Sequence, residues 1–149
     1  MTKIARIGLD IVIYITIVVT ILFGLPRFLS WSLETPYPMA AITSGSMWPA
    51  LKEGDLVFIQ GGIEKEELKK GDIIVFRNDR GNLFTIHRIV SLGEDTLVTQ
   101  GDANFEPDAP IKYGNIIGRT ATLFGNPVHI PLLGSVTVIA SNIKENRDE

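Results

Sequence analysis

A mainly β fold carried by one N-terminal membrane helix is what this sequence predicts, and three observations predict it. An uncharged, mostly aliphatic run, IVIYITIVVTILFGL, extends from Ile11 to Leu25. Beyond Pro38 the apolar residues fall into short, β-branched runs. Glycine–acid turns separate those runs, and no long helical period replaces them. With 149 residues the chain holds one domain beside the anchor, large enough for a core without covalent staples.

Extended back to Ile7, the first run measures roughly 19 residues or about 28 Å of helix, enough for a hydrocarbon core of about 30 Å. Asp10 lies within a turn of its start and reaches the interface. Gly24-Leu25-Pro26-Arg27 reads as the helix stop. The aromatic stretch from Phe28 to Trp31 suits the headgroup zone. No Ala-x-Ala-like exit follows, so the run reads as a retained anchor rather than a cleaved leader. Lys3, Arg6 and the free amine favour a cytoplasmic N-terminus, against which Arg27 counts on the far side. The expected arrangement is a single-pass protein of the cell membrane whose domain is extracytoplasmic. Residues 1–29 are assigned to the N-terminus and anchor, 30–38 to a linker and 39–130 to the β-domain. Residues 131–149 form an apolar segment and a polar tail.

Strands are expected at 39–43, 56–60, 72–77, 83–90, 96–99, 116–123 and 128–130. Glu53-Gly54-Asp55, Lys70-Gly71-Asp72, Asp79-Arg80-Gly81-Asn82, Gly93-Glu94-Asp95 and Gly101-Asp102 supply the turns between them. Residues 63–70 (IEKEELKK) make a single helical turn. Regular strand–turn spacing points to an antiparallel barrel or folded pair of sheets rather than βαβ units. Residues 130–143 are apolar but broken by Pro131 and Gly134, and are expected to lie at the membrane surface as a strand or short helix.

Composition removes several functions. A net charge of −3 with spread-out cations leaves no footprint for nucleic acid. Without cysteine there is no disulfide framework, thiolate metal site or cysteine nucleophile. Only two histidines, His87 and His129, are present, so a histidine-rich metal centre is not expected and a histidine base has two candidates. No metal and no cofactor are called for.

Three places carry chemistry. Ser44-Gly45-Ser46-Met47-Trp48-Pro49 ends the first strand, where a constrained turn exposes a serine hydroxyl and Gly45 admits a substrate backbone. By itself Ser-Gly-Ser is a common loop. In Phe84-Thr85-Ile86-His87-Arg88-Ile89-Val90, alternation puts Thr85, His87 and Ile89 on one face and Phe84, Ile86 and Arg88 on the other. A lone strand histidine is more often structural than catalytic, and His129, in Pro127-Val128-His129-Ile130-Pro131, has no supporting neighbours. Gln100-Gly101-Asp102-Ala103-Asn104-Phe105-Glu106-Pro107-Asp108 offers two acids that read first as turn caps. Their spacing does not match a calcium loop. Serine, histidine and aspartate are nonetheless the three types that nucleophilic serine catalysis needs.

Taken together, these segments resemble the boxes of type I signal peptidases, the peptidase S26 family. Ser44-Gly45-Ser46-Met47-Trp48-Pro49 with Leu51 and Gly54-Asp55 is similar to the nucleophile box. Lys70-Gly71-Asp72-Ile73-Ile74-Val75-Phe76 resembles the strand box that follows. His87-Arg88-Ile89 stands where bacterial members carry lysine, as in the archaeal and endoplasmic-reticulum branch. Gly101-Asp102-Ala103-Asn104 with Asp108 resembles the last box, departing from it at Ala103. The co-linear match covers roughly residues 40–120 and the anchor.

The resemblance implies a minimal signal-peptidase-like β-core without a large cap. It implies Ser46 as nucleophile, His87 as general base, Asp108 as the acid orienting His87 and Asp102 as support for the loop. It places Ser44 and the Ser46 N–H at the oxyanion hole. The substrates would be secretory preproteins, bound as an added β-strand and cut after small residues at the first and third positions before the bond. The walls would be strand 39–43 and residues 84–86. Because the substrate's apolar segment stays embedded, the site lies near the bilayer, where Met47 and Trp48 dip into the interface or pack in the core. Activity should rise with pH through the histidine range, since the base must be neutral. Further subunits are not indicated. A self-cleaving repressor-type protease would need a lysine base and a DNA-binding segment, and this chain offers a membrane helix and His87 instead. A membrane-anchored non-catalytic β-module binding a secretory partner is the other alternative.

Overall fold

The computed structural model describes residues 3–78 and 84–135. The expected turn at 79–82, Leu83, and the apolar segment and tail from residue 136 onward lie outside the described residues. Helix α1 spans Lys3–Val19, a wider π turn covers Thr20–Gly24, and α2 spans Leu25–Ser32. The helix therefore does not stop at Gly24-Leu25-Pro26-Arg27, as the sequence suggested. Proline lacks the N–H owed to the carbonyl four residues back, and its ring crowds that carbonyl. Here the turn before Pro26 widens, Leu25 N–H reaches Thr20 O, and Pro26 becomes the opening of α2, where no donor is required. The continuous apolar stretch Arg6–Ser32 is long enough to cross a membrane, and none of its most apolar window is buried against the protein. That exposure separates it from a core helix.

The segment after Ser32 is fastened to the β-domain. Leu33 O accepts from Gly61 N–H at 2.7 Å, Thr35 is buried, and the Tyr37 ring meets Phe84 edge-on at 4.9 Å between centroids. Gly61 makes this approach possible. A β-carbon there would collide with Glu34 O and lie 2.9 Å from the Thr35 β-carbon. Gly61→Ala is expected to destabilise the chain by about 1–3 kcal/mol, because backbone must yield rather than a flexible side-chain tip. Thermal unfolding of the full chain in detergent checks this, and an unchanged midpoint would contradict it.

Among the described residues ten strands follow, β1 Met39–Ala41, β2 Leu56–Gln60, β3 Ile73–Arg77, β4 Phe84–Leu92, β5 Thr96–Gln100, β6 Ile111–Lys112, β7 Ile116–Thr120, β8 Thr122–Leu123, β9 Asn126–Pro127 and β10 His129–Ile130. The main sheet runs β1-β2-β7-β3-β4-β5-β6 with β10 also on β2, and β8–β9 form a separate hairpin. Every pairing among the described residues is antiparallel. The chain is thus mainly antiparallel β with one N-terminal apolar helix, and only residues 78–83 connect β3 to β4, so no cap is inserted there. Strand β6 was not foreseen, since two residues are too few to show a period. The single turn expected at 63–70 is a 3₁₀ turn at Lys65–Glu67, closed by reciprocal bonds between Glu64 and Glu67.

Alternation along the strands feeds two apolar clusters. Leu68, Ile74, Phe76, Ile89, Leu97 and Ile111 form one, and Ile42, Met47, Leu51, Val57 and Ile73 form the other. Neighbouring residues Ile73 and Ile74 point to different clusters because successive strand residues face opposite sides. Met47 is 1% exposed and holds the turn beside it from below, whereas Trp48 remains 59% exposed. Of the two residues considered for the interface, Met47 belongs to the core.

Candidate active site

Three elements converge on one cleft. The first is the 3₁₀ turn Gly45–Met47, entered from an extended Ser44. Burial of Met47 in the core pins one side of this turn and leaves Ser46 half-buried beside it. The second is β4, whose alternation turns His87 and Ile89 inward and leaves His87 8% exposed. The Phe76 ring on β3 packs edge-on against the imidazole, 6.4 Å between centroids. The third is the loop leaving β5, which returns at Asp108 through a bond from Asp108 N–H to Thr99 O of 2.7 Å.

His87 Nδ1 lies 2.6 Å from Asp108 Oδ2, and Nε2 lies 3.2 Å from Ser46 Oγ. The protonation pattern follows from valence. A carboxylate only accepts, so Nδ1 carries the ring proton and Nε2 of the neutral ring is the acceptor facing the Ser46 hydroxyl. Since Ser46 then donates to His87, the 3.1 Å contact between the two serine hydroxyls has Ser44 as its donor. Chemically this arrangement can take a proton from Ser46 and hold the resulting imidazolium against a carboxylate. A cleft of about 150 Å³ opens over the same groups, lined by Ala41, Ile42, Thr43 and Ser44 on one side and Phe84, Thr85 and Ile86 on the other. β1 pairs with β2 alone, and β4 meets β5 only from Arg88 onward, so strand edges among the described residues border both walls.

Asp102 is turned elsewhere. Its two oxygens receive Arg88 Nε at 2.8 Å and Arg88 Nη2 at 2.7 Å, while Arg88 Nη1 donates to Gly71 O. The bond to Asp102, with its charge, holds the Arg88 guanidinium above its ordinary pKa against the opposing effect of burial. Because Arg88 follows His87 on the opposite face of β4, this fork fixes the loop to the strand that carries the imidazole. The loop in turn grips the serine turn, with Ala103 N–H donating to Ser46 O at 2.8 Å. Ala103, the departure from the family pattern, contributes through its backbone.

Gly101 permits that grip. A β-carbon there would stand 2.7 Å from Ser46 O and 2.8 Å from Asn104 Nδ2. Gly101→Ala is expected to push the serine turn off its position and lower kcat by about 10- to 100-fold with little change in KM. Steady-state cleavage by the purified chain measures this split.

His129 is remote from this cluster in role. It pairs with the buried Asp55, Nδ1 to Oδ2 2.9 Å, while Asp55 also accepts from Lys52 N–H. Sequence reasoning missed Thr99, whose hydroxyl donates to Asp108 Oδ2 at 2.6 Å and which is fully buried. The signal was available in β5, where a threonine shares the inward face with Leu97.

The family model described as "Signal peptidase, peptidase S26" matches residues 6–105, from the anchor through the loop after β5. The chain belongs to the signal peptidase family. Among its relatives is the signal peptidase complex catalytic subunit of Sclerotinia sclerotiorum, 30% identical over 136 residues, covering 87% of this chain and 79% of the relative. The corresponding subunit of Lodderomyces elongisporus is 32% identical over 126 residues, 80% of this chain and 75% of its own length. That of Colletotrichum graminicola is 30% identical over 125 residues, 80% and 73%. The similarity is therefore to the endoplasmic-reticulum-like branch. As a signal peptidase the chain is a membrane-anchored serine endopeptidase, and in its cleft a histidine nitrogen faces a serine hydroxyl.

Proposed function

We propose that this signal peptidase removes N-terminal signal peptides from secretory preproteins, with Ser46 as nucleophile, His87 as general base and Asp108 as the acid that orients His87. The observation that carries the reading is the unbroken series Ser46 Oγ, His87 Nε2, His87 Nδ1 and Asp108 Oδ2. As Ser46 Oγ attacks the scissile carbonyl, its proton passes to His87 Nε2. The imidazolium is held by Asp108 and then protonates the leaving amine. Water, deprotonated by the same ring, releases the acyl group. As Ser46 Oγ bonds to the carbonyl carbon, the Ser44 Oγ–H turns from it and joins the Ser46 N–H as a donor to the oxyanion. Asp102 acts on the loop, through Arg88.

The preprotein segment pairs as an added strand between the edges of β1 and residues 84–86. The 150 Å³ cleft takes a small side chain at the position before the cut, and the aromatic pair Tyr37–Phe84 stands at its rim. The anchor crosses the cell membrane once with Lys3 and Arg6 on the cytoplasmic side, which places the β-domain outside. The tight attachment of residues 33–37 to the domain supports a site held close to the bilayer, where an embedded signal peptide ends. The relatives carry names as subunits of a complex, and the catalytic part of that description is what we extend to this chain.

The test uses the full chain reconstituted in vesicles with a preprotein whose residue before the cut is alanine. Mass spectrometry of the product should find one new N-terminus directly after that alanine. A bulky residue at the same position should abolish it. Cleavage indifferent to that side chain, or no mature product from any preprotein, would overturn the reading.

A further inference from the structure

The carboxylate that faces His87 is itself held by a group that no part of the proposed chemistry names. Thr99 sits on β5 with 0% of its surface exposed. Its Oγ1 lies 2.6 Å from Asp108 Oδ2, the oxygen that also stands 2.6 Å from His87 Nδ1. A carboxylate oxygen accepts only, so the threonine hydroxyl is the donor there. The same residue binds Asp108 a second time, its carbonyl receiving Asp108 N–H at 2.7 Å. Between the two ends of this clamp, Gln100 Nε2 donates to Asn104 O, Asn104 N–H donates to Gly101 O, and Ala103 N–H donates to Ser46 O.

We propose that Thr99 is a positioning residue for catalysis, aiming Asp108 Oδ2 at His87 Nδ1. The physical need is plain. A single-bonded carboxylate on a loop can rotate about two torsions, and both of its oxygens can serve the imidazole or neither. The Thr99 hydroxyl removes that freedom. It donates to one named oxygen at the distance of a short charge-assisted bond, while the backbone bond fixes the point from which the side chain hangs. Thr99 has no freedom of its own, because its branched β-carbon is buried on the face it shares with Leu97. The order is thus core, Thr99, Asp108, His87, Ser46. Thr99 touches no reacting atom and acts only through Asp108.

This rests on the reading of Ser46, His87 and Asp108 given above, and the experiment separates the two. Thr99→Val keeps the shape and removes the hydroxyl, and Thr99→Ser keeps the hydroxyl. Each is made in the full chain, alone and with Asp108→Ala, and steady-state cleavage of a preprotein is followed over a range of substrate concentrations. Thr99→Val is expected to lower kcat by about 10- to 100-fold with KM unchanged, the range for loss of one charge-assisted bond. Thr99→Ser should restore most of it. In the Asp108→Ala background Thr99→Val should cost nothing further, because the two residues act as one unit. The low-field resonance of the proton on His87 Nδ1 should broaden in Thr99→Val and return in Thr99→Ser. Equal losses in both backgrounds, or a Thr99→Val chain with native kcat and resonance, would overturn the role of Thr99 while leaving the site standing. Native cleavage by Ser46→Ala or Asp108→Ala would overturn the underlying reading, and this role with it.

Discussion

Ser46→Ala is expected to reduce preprotein cleavage by about 10⁴- to 10⁶-fold, and adding His87→Ala to it should cost almost nothing more. The first part follows from chemistry. Alanine removes the hydroxyl oxygen placed 3.2 Å from His87 Nε2, and the Ser44 hydroxyl makes its contact to Ser46 Oγ, at 3.1 Å, rather than to the imidazole among the described residues. The second part follows from function as a unit, since a base without its nucleophile has nothing to deprotonate. Residual turnover would reflect substrate alignment and oxyanion donors alone. The measurement is appearance of mature product in vesicles carrying each variant at matched amounts. Because Ser46 is half-buried and alanine merely deletes one atom, Ser46→Ala should unfold at the temperature of the parent, whereas adding His87→Ala empties a buried position beside Phe76 and should lower that temperature. Equal cleavage by Ser46→Ala and the parent would show that another group attacks the bond.

The two aspartates of the last loop should separate cleanly. Asp108→Asn is expected to lower kcat by about 10³- to 10⁴-fold, whereas Asp102→Asn should lower it no more than about tenfold. At Asp108 the amide offers an N–H where His87 Nδ1 needs an acceptor, so the ring is driven toward the tautomer whose Nε2 carries the proton and cannot serve Ser46. It also carries no charge to hold the imidazolium. At Asp102 the loss falls on Arg88, 32% exposed at its side chain, and is discounted for solvent screening to about 1 kcal/mol of loop attachment. Rates for the two variants at matched concentration decide the matter. The reverse order, with Asp102 indispensable and Asp108 replaceable, would reassign the acid.

Much of this was legible in the chain, for local reasons. An apolar run that long reports a membrane span by length alone, and strand β2 fell on the residues expected for it, 56–60. That His87 and Ile89 share one face of β4 followed from a period of two, while burial in the structure decided that this face is the inward one. Illegible features share a cause as well. The continuation of the helix to Ser32 depends on a π turn that absorbs Pro26, a backbone adjustment with no compositional mark. Strand β6 exists only because β5 lies alongside to pair with it. Whether Met47 faced lipid or core could not be read from an apolar side chain, which suits both. It became clear only once Ile42, Leu51, Val57 and Ile73 were seen around it.

The sequence by itself determined the anchor, the β class, the co-linear boxes and the residue types available for chemistry, because each depends on neighbours in the chain and on side-chain identity. Tertiary structure alone decided that Ser46 and His87, separated by 41 positions, meet at 3.2 Å, and that His87 meets Asp108 across 21. It also sent Asp102 to Arg88, gave the Ser44 hydroxyl its direction, and put Thr99 behind the carboxylate. Strand alternation fixes the face a residue occupies, but which faces confront one another is set by sheet order and by the burial of two apolar clusters. Those are non-local, and no spacing along the chain encodes them.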